Sequence, residues 1–264
     1  MSAVTLIFVS TALLYGASCV LYFVHLARGG ASSVLWASRL LGAAIATHVG
    51  FLALDYLLGG RAPTTDIYQV LVVLSLLIAV AYMVSMRRAR LTVLGAFVTP
   101  VALLLLLSAG LRGSVPPVPE GVRSALLPVH IAVNVLGIVA FALAFAAAVG
   151  YVIQEQLLRR KQIIGIFQRL PALDVLDSMG LRLVTVGFPL FTFGMLMGTF
   201  WAAERGGVST GQAFALLAWV FFGSVLLARA AAGWRGRRAA IGTMLGFLCS
   251  IAALGGYVAR GLGG

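Results

Sequence analysis

Residues 126–154 read LLPVHIAVNVLGIVAFALAFAAAVGYVIQ, a run without a single Lys, Arg, Asp or Glu. Because about 20 apolar residues cross a hydrocarbon core about 30 Å thick, this run predicts a membrane-spanning helix. The whole chain agrees, since 61% of its 264 residues are hydrophobic and 10% are charged, where soluble domains average about 25% charged residues. We therefore predict an all-α polytopic membrane protein whose residues 1–264 form one integral membrane domain.

Further apolar runs predict the other spans. The first begins without a basic segment and is too long for a signal-peptide core, so it is interpreted as a true span. The eight predicted spans are about 4–27, 34–58, 67–86, 91–111, 126–154, 181–203, 212–232 and 239–259.

The formal charge of +12 follows the predicted loops. Fourteen of the nineteen Lys and Arg residues lie in or beside the odd-numbered loops, and five lie in the even-numbered loops and the C-terminal tail. Because basic residues accumulate on the cytoplasmic side, we predict that the odd loops are cytoplasmic and that both termini are extracytoplasmic. The basic excess is thus a topology signal rather than a nucleic-acid patch.

Three histidines are the informative ionisable groups, because such groups are costly inside a membrane. His25 closes the first predicted span beside Arg28 and is interpreted as an interface residue. His48 lies in the outer half of the second span, and His130 opens the fifth span at the outer face. Two neutral imidazoles there could hold a haem iron from both sides or another metal ion. The alternative is one packing histidine and one capping histidine, since 82 residues separate them.

Several function classes find no support in the sequence. Cys19 and Cys249 lie singly in the first and last spans, whereas a membrane thiol carrier needs two neighbouring thiols. No serine elbow, zinc-helix histidine pattern or phosphate-binding glycine loop occurs. We therefore predict that the chain is not an enzyme.

Two further features lie before and within the sixth span. Residues 155–180 carry an Arg-Arg-Lys cluster followed by apolar residues, which predicts an interfacial segment on the cytoplasmic face. Its Asp174 and Asp177 could pair with Arg169 or Arg182, contact a partner, or lie on a solvated face. Glycines at 187, 194 and 198 predict a closely approached helix that leads directly to Trp201.

Four stretches resemble the cytochrome c assembly family, which includes the CcsA-like, CcmC-like and HemX-like membrane proteins. Residues 170–202, LPALDVLDSMGLRLVTVGFPLFTFGMLMGTFWA, resemble the segment that precedes the family's tryptophan-rich loop. Residues 127–161 resemble its histidine-led helix, and residues 62–82 resemble its Pro-x-x-Asn-x-Tyr stretch. Residues 216–247 resemble its closing Ala-Trp and Gly-Trp-Arg-Gly-Arg-Arg elements.

The resemblance implies haem handling at the outer face of a bacterial-type inner membrane. It implies that His130 is an iron ligand, that Trp201 is the first tryptophan of the haem-cradling loop, and that Glu204 belongs to the same motif. The expected cofactor is haem b. The expected partners are haem itself, the lipid bilayer and other cytochrome c assembly proteins.

Departures from the family pattern leave an alternative open. The residues ERGGVSTGQAFALLAW, 204–219, replace the tryptophan-rich second half of the loop, and Arg61 lies where the family carries a histidine. The family's last histidine has no counterpart in GGYVARGLGG, residues 255–264, so the second axial ligand is His48 or is missing. This shortened pattern is closest to the HemX-like branch. The alternative function is a membrane scaffold or regulator of tetrapyrrole-synthesis enzymes that no longer binds haem and acts through residues 155–180.

Overall fold

The computed structural model describes residues 3–60, 66–86, 91–110, 126–162, 164–203 and 209–262. The side chains of residues 200–203 and 260–262 lie outside that description. The described residues form helices and no strands. The helices are α1 (Ala3–Arg28), α2 (Ala31–Gly59), α3 (Ile67–Ser85), a 3₁₀ turn (Leu91–Leu94) leading into α4 (Gly95–Gly110), α5 (Leu126–Arg159), α6 (Ile166–Arg169), α7 (Leu173–Ala203), α8 (Thr210–Ala232) and α9 (Arg237–Leu262).

Eight of these segments are long and apolar enough to cross a membrane, which confirms the predicted all-α architecture and span count. The largest difference in boundaries lies in α7, which begins at Leu173 rather than near residue 181. Asp174 lies in its first turn, where a carboxylate interacts favourably with the helix dipole, so the helix starts before the apolar run does. The extracytoplasmic location of both termini stays a prediction.

Neighbouring helices pair in antiparallel hairpins. In α1 and α2, Thr11 bonds to Thr47 across the pair, and Tyr22 bonds to Ser38 nearer the connecting turn. In α3 and α4, the Ser75 hydroxyl donates to the Ala102 carbonyl at 2.7 Å. In α8 and α9, side chains would meet a Cβ added at the facing glycines 211, 242 and 246. This alternation puts the helix ends at 28–31, 85–91, 159–173 and 232–237 on one face, which we call the basic face.

Aromatic side chains fill the contact between the helices of the C-terminal half. The rings of Phe141 on α5 and Phe222 on α8 stack with centroids 3.7 Å apart, and Phe191 on α7 meets Phe141 edge-on at 5.6 Å. Trp219 stacks on Phe188 and donates its indole N–H to the Thr192 hydroxyl at 2.9 Å. Trp219 therefore joins α8 to α7 as a packing residue.

On the basic face, Arg169 and Asp177 find partners that differ from the predicted ones. Arg169 donates to the Leu26 carbonyl at 2.7 Å and thereby satisfies an orphan acceptor at the end of α1. Asp177 accepts from Arg229 of α8 at 2.8 Å, so the suggested pairing with Arg169 or Arg182 is wrong for this carboxylate. The reason is that α7 is already helical at residue 177, which turns this side chain towards α8.

Candidate functional site

His48 lies in a sealed cluster between α1, α2 and α3. Its side chain is fully buried, and the Tyr15 hydroxyl lies 3.2 Å from Nδ1. The Tyr15 ring meets the imidazole edge-on at 5.8 Å, and Phe51 lies one helical turn further along α2. The backbone of Val72 on α3 lies on another side of the ring. Three helices therefore fix the orientation of this imidazole.

The second ring nitrogen of His48 is the notable atom of this cluster. Nε2 is buried and makes no hydrogen bond of normal geometry to the described residues. When Nδ1–H donates to the Tyr15 oxygen, Nε2 keeps its lone pair inside the protein. Metal-ligating histidines usually have this arrangement, in which one nitrogen is held by a partner and the other is available. In the other tautomer the Tyr15 hydroxyl donates to Nδ1 and Nε2 carries the proton, so Nε2 offers a lone pair to iron only in the first tautomer.

His130 lies at the opposite end of the bundle from the basic face, in the first turns of α5. It is half-buried, and the backbone of Gly194 on α7 is hydrogen-bonded to its ring. Asn134 donates its amide to the His130 carbonyl at 2.8 Å, and the same amide nitrogen lies 3.3 Å from Nδ1. A backbone partner of this kind also orients an imidazole.

The glycines of α7 face these residues in antiparallel register. A Cβ at Gly198 would lie 3.2 Å from Cε1 of His130, and a Cβ at Gly194 would overlap the Asn134 amide. Further along, a Cβ at Gly187 would meet Phe141 at 2.8 Å. The predicted close approach at 187, 194 and 198 is therefore confirmed, because small residues let neighbouring helix backbones meet.

Trp201 is close to His130 along the fold. Its backbone lies in the last turn of α7, three residues beyond Gly198, which contacts His130. The side chain of Trp201 and the whole of Glu204 lie outside the described residues. The described chain therefore brings His130 to the end of the helix that carries Trp201.

The structure does not bring the two predicted ligands into one cluster. The contacts described for His48 and those described for His130 have no residue in common. His48 lies eleven residues inside the end of α2, whereas His130 lies four residues inside the start of α5. At 1.5 Å per residue, the two differ in depth by roughly 10 Å. No group of three or more His, Cys, Asp or Glu side chains suited to a metal occurs in the described residues.

Sequence reasoning missed one buried polar pair. Asp55 is 2% exposed and accepts a hydrogen bond from the amide of Gln69, which is 1% exposed. The available signal was spacing, because His48, Phe51 and Asp55 follow the helical period and share the buried face of α2.

A family model and individual relatives point to the same protein family. Residues 63–258 match the model of the family described as cytochrome C assembly protein. The chain is similar to the cytochrome c biogenesis protein CcsA of Gloeothece citriformis (strain PCC 7424), at 25% identity over 72% of this chain and 74% of the relative. It is 26% identical to CcsA of Rippkaea orientalis (strain PCC 8801 / RF-1), over 77% of this chain and 78% of that protein.

A solved structure shares the fold. The cytochrome c heme lyase CcmF superposes with a TM-score of 0.62 at 13% identity. The match covers 97% of this chain and 51% of the CcmF chain, so the chain spans about half the length of that protein. Placement in the HemX-like branch stays a prediction. The family model covers most of the chain, and the relatives agree with it, so this chain belongs to the cytochrome c assembly protein family.

Proposed function

We propose that this chain binds haem within the membrane and presents it at the outer face during cytochrome c maturation. Its family membership and the names of its CcsA relatives support a role in cytochrome c biogenesis. The observation that carries the haem assignment is the position of His130. Its ring contacts α7 at Gly198, one helical turn before Trp201.

The residues fit haem in their chemistry. When bound, haem would supply an iron that imidazole nitrogens ligate. His130 supplies one such nitrogen, and the Gly194 backbone and the Asn134 amide contact its ring. His48 supplies another, Nε2, in the tautomer whose Nδ1–H donates to the Tyr15 oxygen. Because the two imidazoles lie in different clusters, we assign His130 to haem at the outer face and His48 to a separate, deeper haem site.

Trp201 and Glu204 complete the proposal. We propose that Trp201 stacks on the porphyrin and that Glu204 belongs to the same haem-facing motif. We further propose that the haem is haem b, held without covalent attachment, and that the protein works in a bacterial-type inner membrane with other cytochrome c assembly proteins. That the chain is not an enzyme stays a prediction, since its structural relative is named a heme lyase.

A reduced pyridine haemochrome spectrum of the purified protein tests the proposal. We expect bound haem in the wild type and a haem content lower by about tenfold or more in His130→Ala. Mutation of a residue that only supports a metal ligand already costs about tenfold in affinity, and loss of the ligand itself should cost at least as much. His48→Ala tests the second ligand in the same way. The matched control is His25→Ala, because His25 bonds locally to the Gly30 carbonyl and Ser33 near the basic face.

Absence of haem from the wild type after reconstitution would contradict the proposal. The scaffold or regulator of tetrapyrrole-synthesis enzymes would then be the function to test, by capture of such enzymes on residues 155–180 of the full-length protein. A haem content that His25→Ala lowers as much as His130→Ala would also contradict the assignment of His130.

A further inference from the structure

Asn134 lies one helical turn after His130 on α5, and its side chain turns back towards that histidine. Its amide nitrogen donates to the His130 carbonyl at 2.8 Å, so the side chain is anchored to the turn that carries the imidazole. A bond from a polar side chain to the carbonyl four residues earlier is common in helices and by itself indicates no function. Two further contacts distinguish Asn134 from that ordinary case.

The first contact is with the face of the imidazole. The Asn134 amide nitrogen lies 3.3 Å from Nδ1 and 3.5 Å from Nε2 of His130. An atom at nearly equal distances from both nitrogens would collide with the carbon atoms of the ring if it lay in the ring plane. The amide therefore covers one face of the imidazole. Because contacts between an N–H group and an aromatic face are weak, the amide restricts the rotation of the ring rather than bonding strongly to it.

The second contact is with α7. A Cβ added at Gly194 would overlap the Asn134 amide, so the amide lies directly against the Gly194 backbone. The same backbone is hydrogen-bonded to the His130 ring. A Cβ added at Gly198 would lie 3.2 Å from Cε1, at the edge of the ring. The imidazole is thus confined at one face by Asn134 and at its edge by α7.

We propose that Asn134 is a positioning residue for haem binding, which sets the plane of the His130 ring and thereby the direction in which the ring meets the iron. The inference rests on the proposed assignment of His130 as a haem ligand. Partners of metal-ligating histidines orient the ring, and their loss lowers metal affinity by about 10- to 100-fold. Asn134 acts only through His130.

The haem content of full-length Asn134→Ala tests the proposal. Alanine removes the amide and introduces no new contact, so the ring loses the group that covers its face. We expect a reduced pyridine haemochrome spectrum to show about tenfold less haem than in the wild type. The matched control is Thr185→Ala, because exposed Thr185 donates to the Leu181 carbonyl four residues earlier, at 2.8 Å. Its haem content should equal that of the wild type.

Free imidazole separates positioning of His130 from a general effect on the fold. In His130→Gly, added imidazole takes the place of the missing side chain and should restore haem binding. Because that imidazole is not attached to α5, Asn134→Ala should leave the restored haem content unchanged. Loss of packing between α5 and α7 would instead lower the haem content with and without the His130 side chain.

NMR spectroscopy of the haem-free protein gives a measurement that does not depend on haem. The chain has three histidines, so protein labelled with ¹³C-histidine gives three Cε1–H signals, which substitution of each histidine by alanine assigns. We expect Asn134→Ala to lower the order parameter of the His130 signal from about 0.85, typical of a rigid site, to below about 0.6. His25 and His48 should keep their values, because their described hydrogen bonds involve other helices.

Three results would overturn the proposal: an unchanged order parameter for His130 in Asn134→Ala, an unchanged haem content in Asn134→Ala when the wild type binds haem, or an equal loss of haem in His130→Gly supplied with imidazole. A wild type that binds no haem contradicts the proposed function, and the order parameter then decides whether Asn134 positions the ring. The order parameter also decides where imidazole restores no haem to His130→Gly. Where Asn134→Ala fails to fold, Asn134→Leu replaces it, since leucine has the branched shape of asparagine without its amide donor.

Discussion

His48 and His130 are the same side chain in two opposite environments. His48 is enclosed by three helices and shares its Nδ1 with a buried tyrosine. His130 is half-buried at the end of a two-helix contact and is held by backbone of α7. In both places a partner fixes the ring, but only His130 lies near a helix end that leads to the proposed haem loop. The contrast predicts that the buried His48 contributes more to stability than His130, and that His130 is the one placed for the ligand role we propose.

The largest effect on stability is expected from Gly194→Leu, which disrupts the contact between α5 and α7 beside His130. A Cβ at this position overlaps the Asn134 amide, so α5 and α7 must separate. Overpacking of this kind destabilises by about 3 kcal/mol. Thermal unfolding in detergent, followed by circular dichroism, measures the change.

Gly50→Leu is the control for that measurement, because a side chain at Gly50 enters open space. It should unfold close to the wild-type temperature. If Gly194→Leu also unfolds close to the wild-type temperature, the close approach of α5 and α7 does not contribute to stability.

His48→Ala is expected to destabilise by about 2 kcal/mol. The substitution leaves the Tyr15 hydroxyl buried and unpaired and opens a cavity among three helices. Equilibrium unfolding of haem-free protein gives the value. If His48→Ala lowers the free energy of unfolding by less than His130→Ala does, the proposed difference between the buried and the outer histidine is wrong.

Tyr15→Phe tests the role of the hydroxyl with a smaller change. The phenyl ring keeps the packing and loses one hydrogen bond to Nδ1, which is worth about 1 kcal/mol of stability. If His48 binds iron, loss of this partner also alters ligand basicity and shifts the reduction potential of the bound haem. A lowered stability with an unchanged reduction potential would show that His48 does not bind the haem iron.

His130→Ala is expected to have the smallest effect on folding, about 0.5 kcal/mol, because the side chain is half-exposed at a helix end. Haem retention should nevertheless fall in this variant. Unfolding and haem content measured on the same preparation test this separation. A destabilisation as large as that of His48→Ala would show that His130 is mainly a packing residue.

The contact between α5 and α7 was predictable in part. Glycines at 187, 194 and 198 indicated a helix that a neighbour approaches closely, and the structure identifies that neighbour as α5. The pairing of Tyr15 with His48 and that of Asp177 with Arg229 could not be read from the chain. Helical periodicity shows which residues share a face, but it does not show which other helix covers that face.

Hydropathy by itself determined that eight apolar helices cross a bilayer, because backbone polar groups in lipid must be satisfied within each helix and about 20 residues are needed to cross. Motif resemblance determined the family, and charge bias gave a predicted orientation. Only the tertiary structure decided that His48 and His130 belong to separate clusters, that Asp55 is buried with Gln69, and that Asp177 pairs with Arg229. The physical reason is that these contacts join residues from different helices, and their spacing along the chain does not encode how the helices pack.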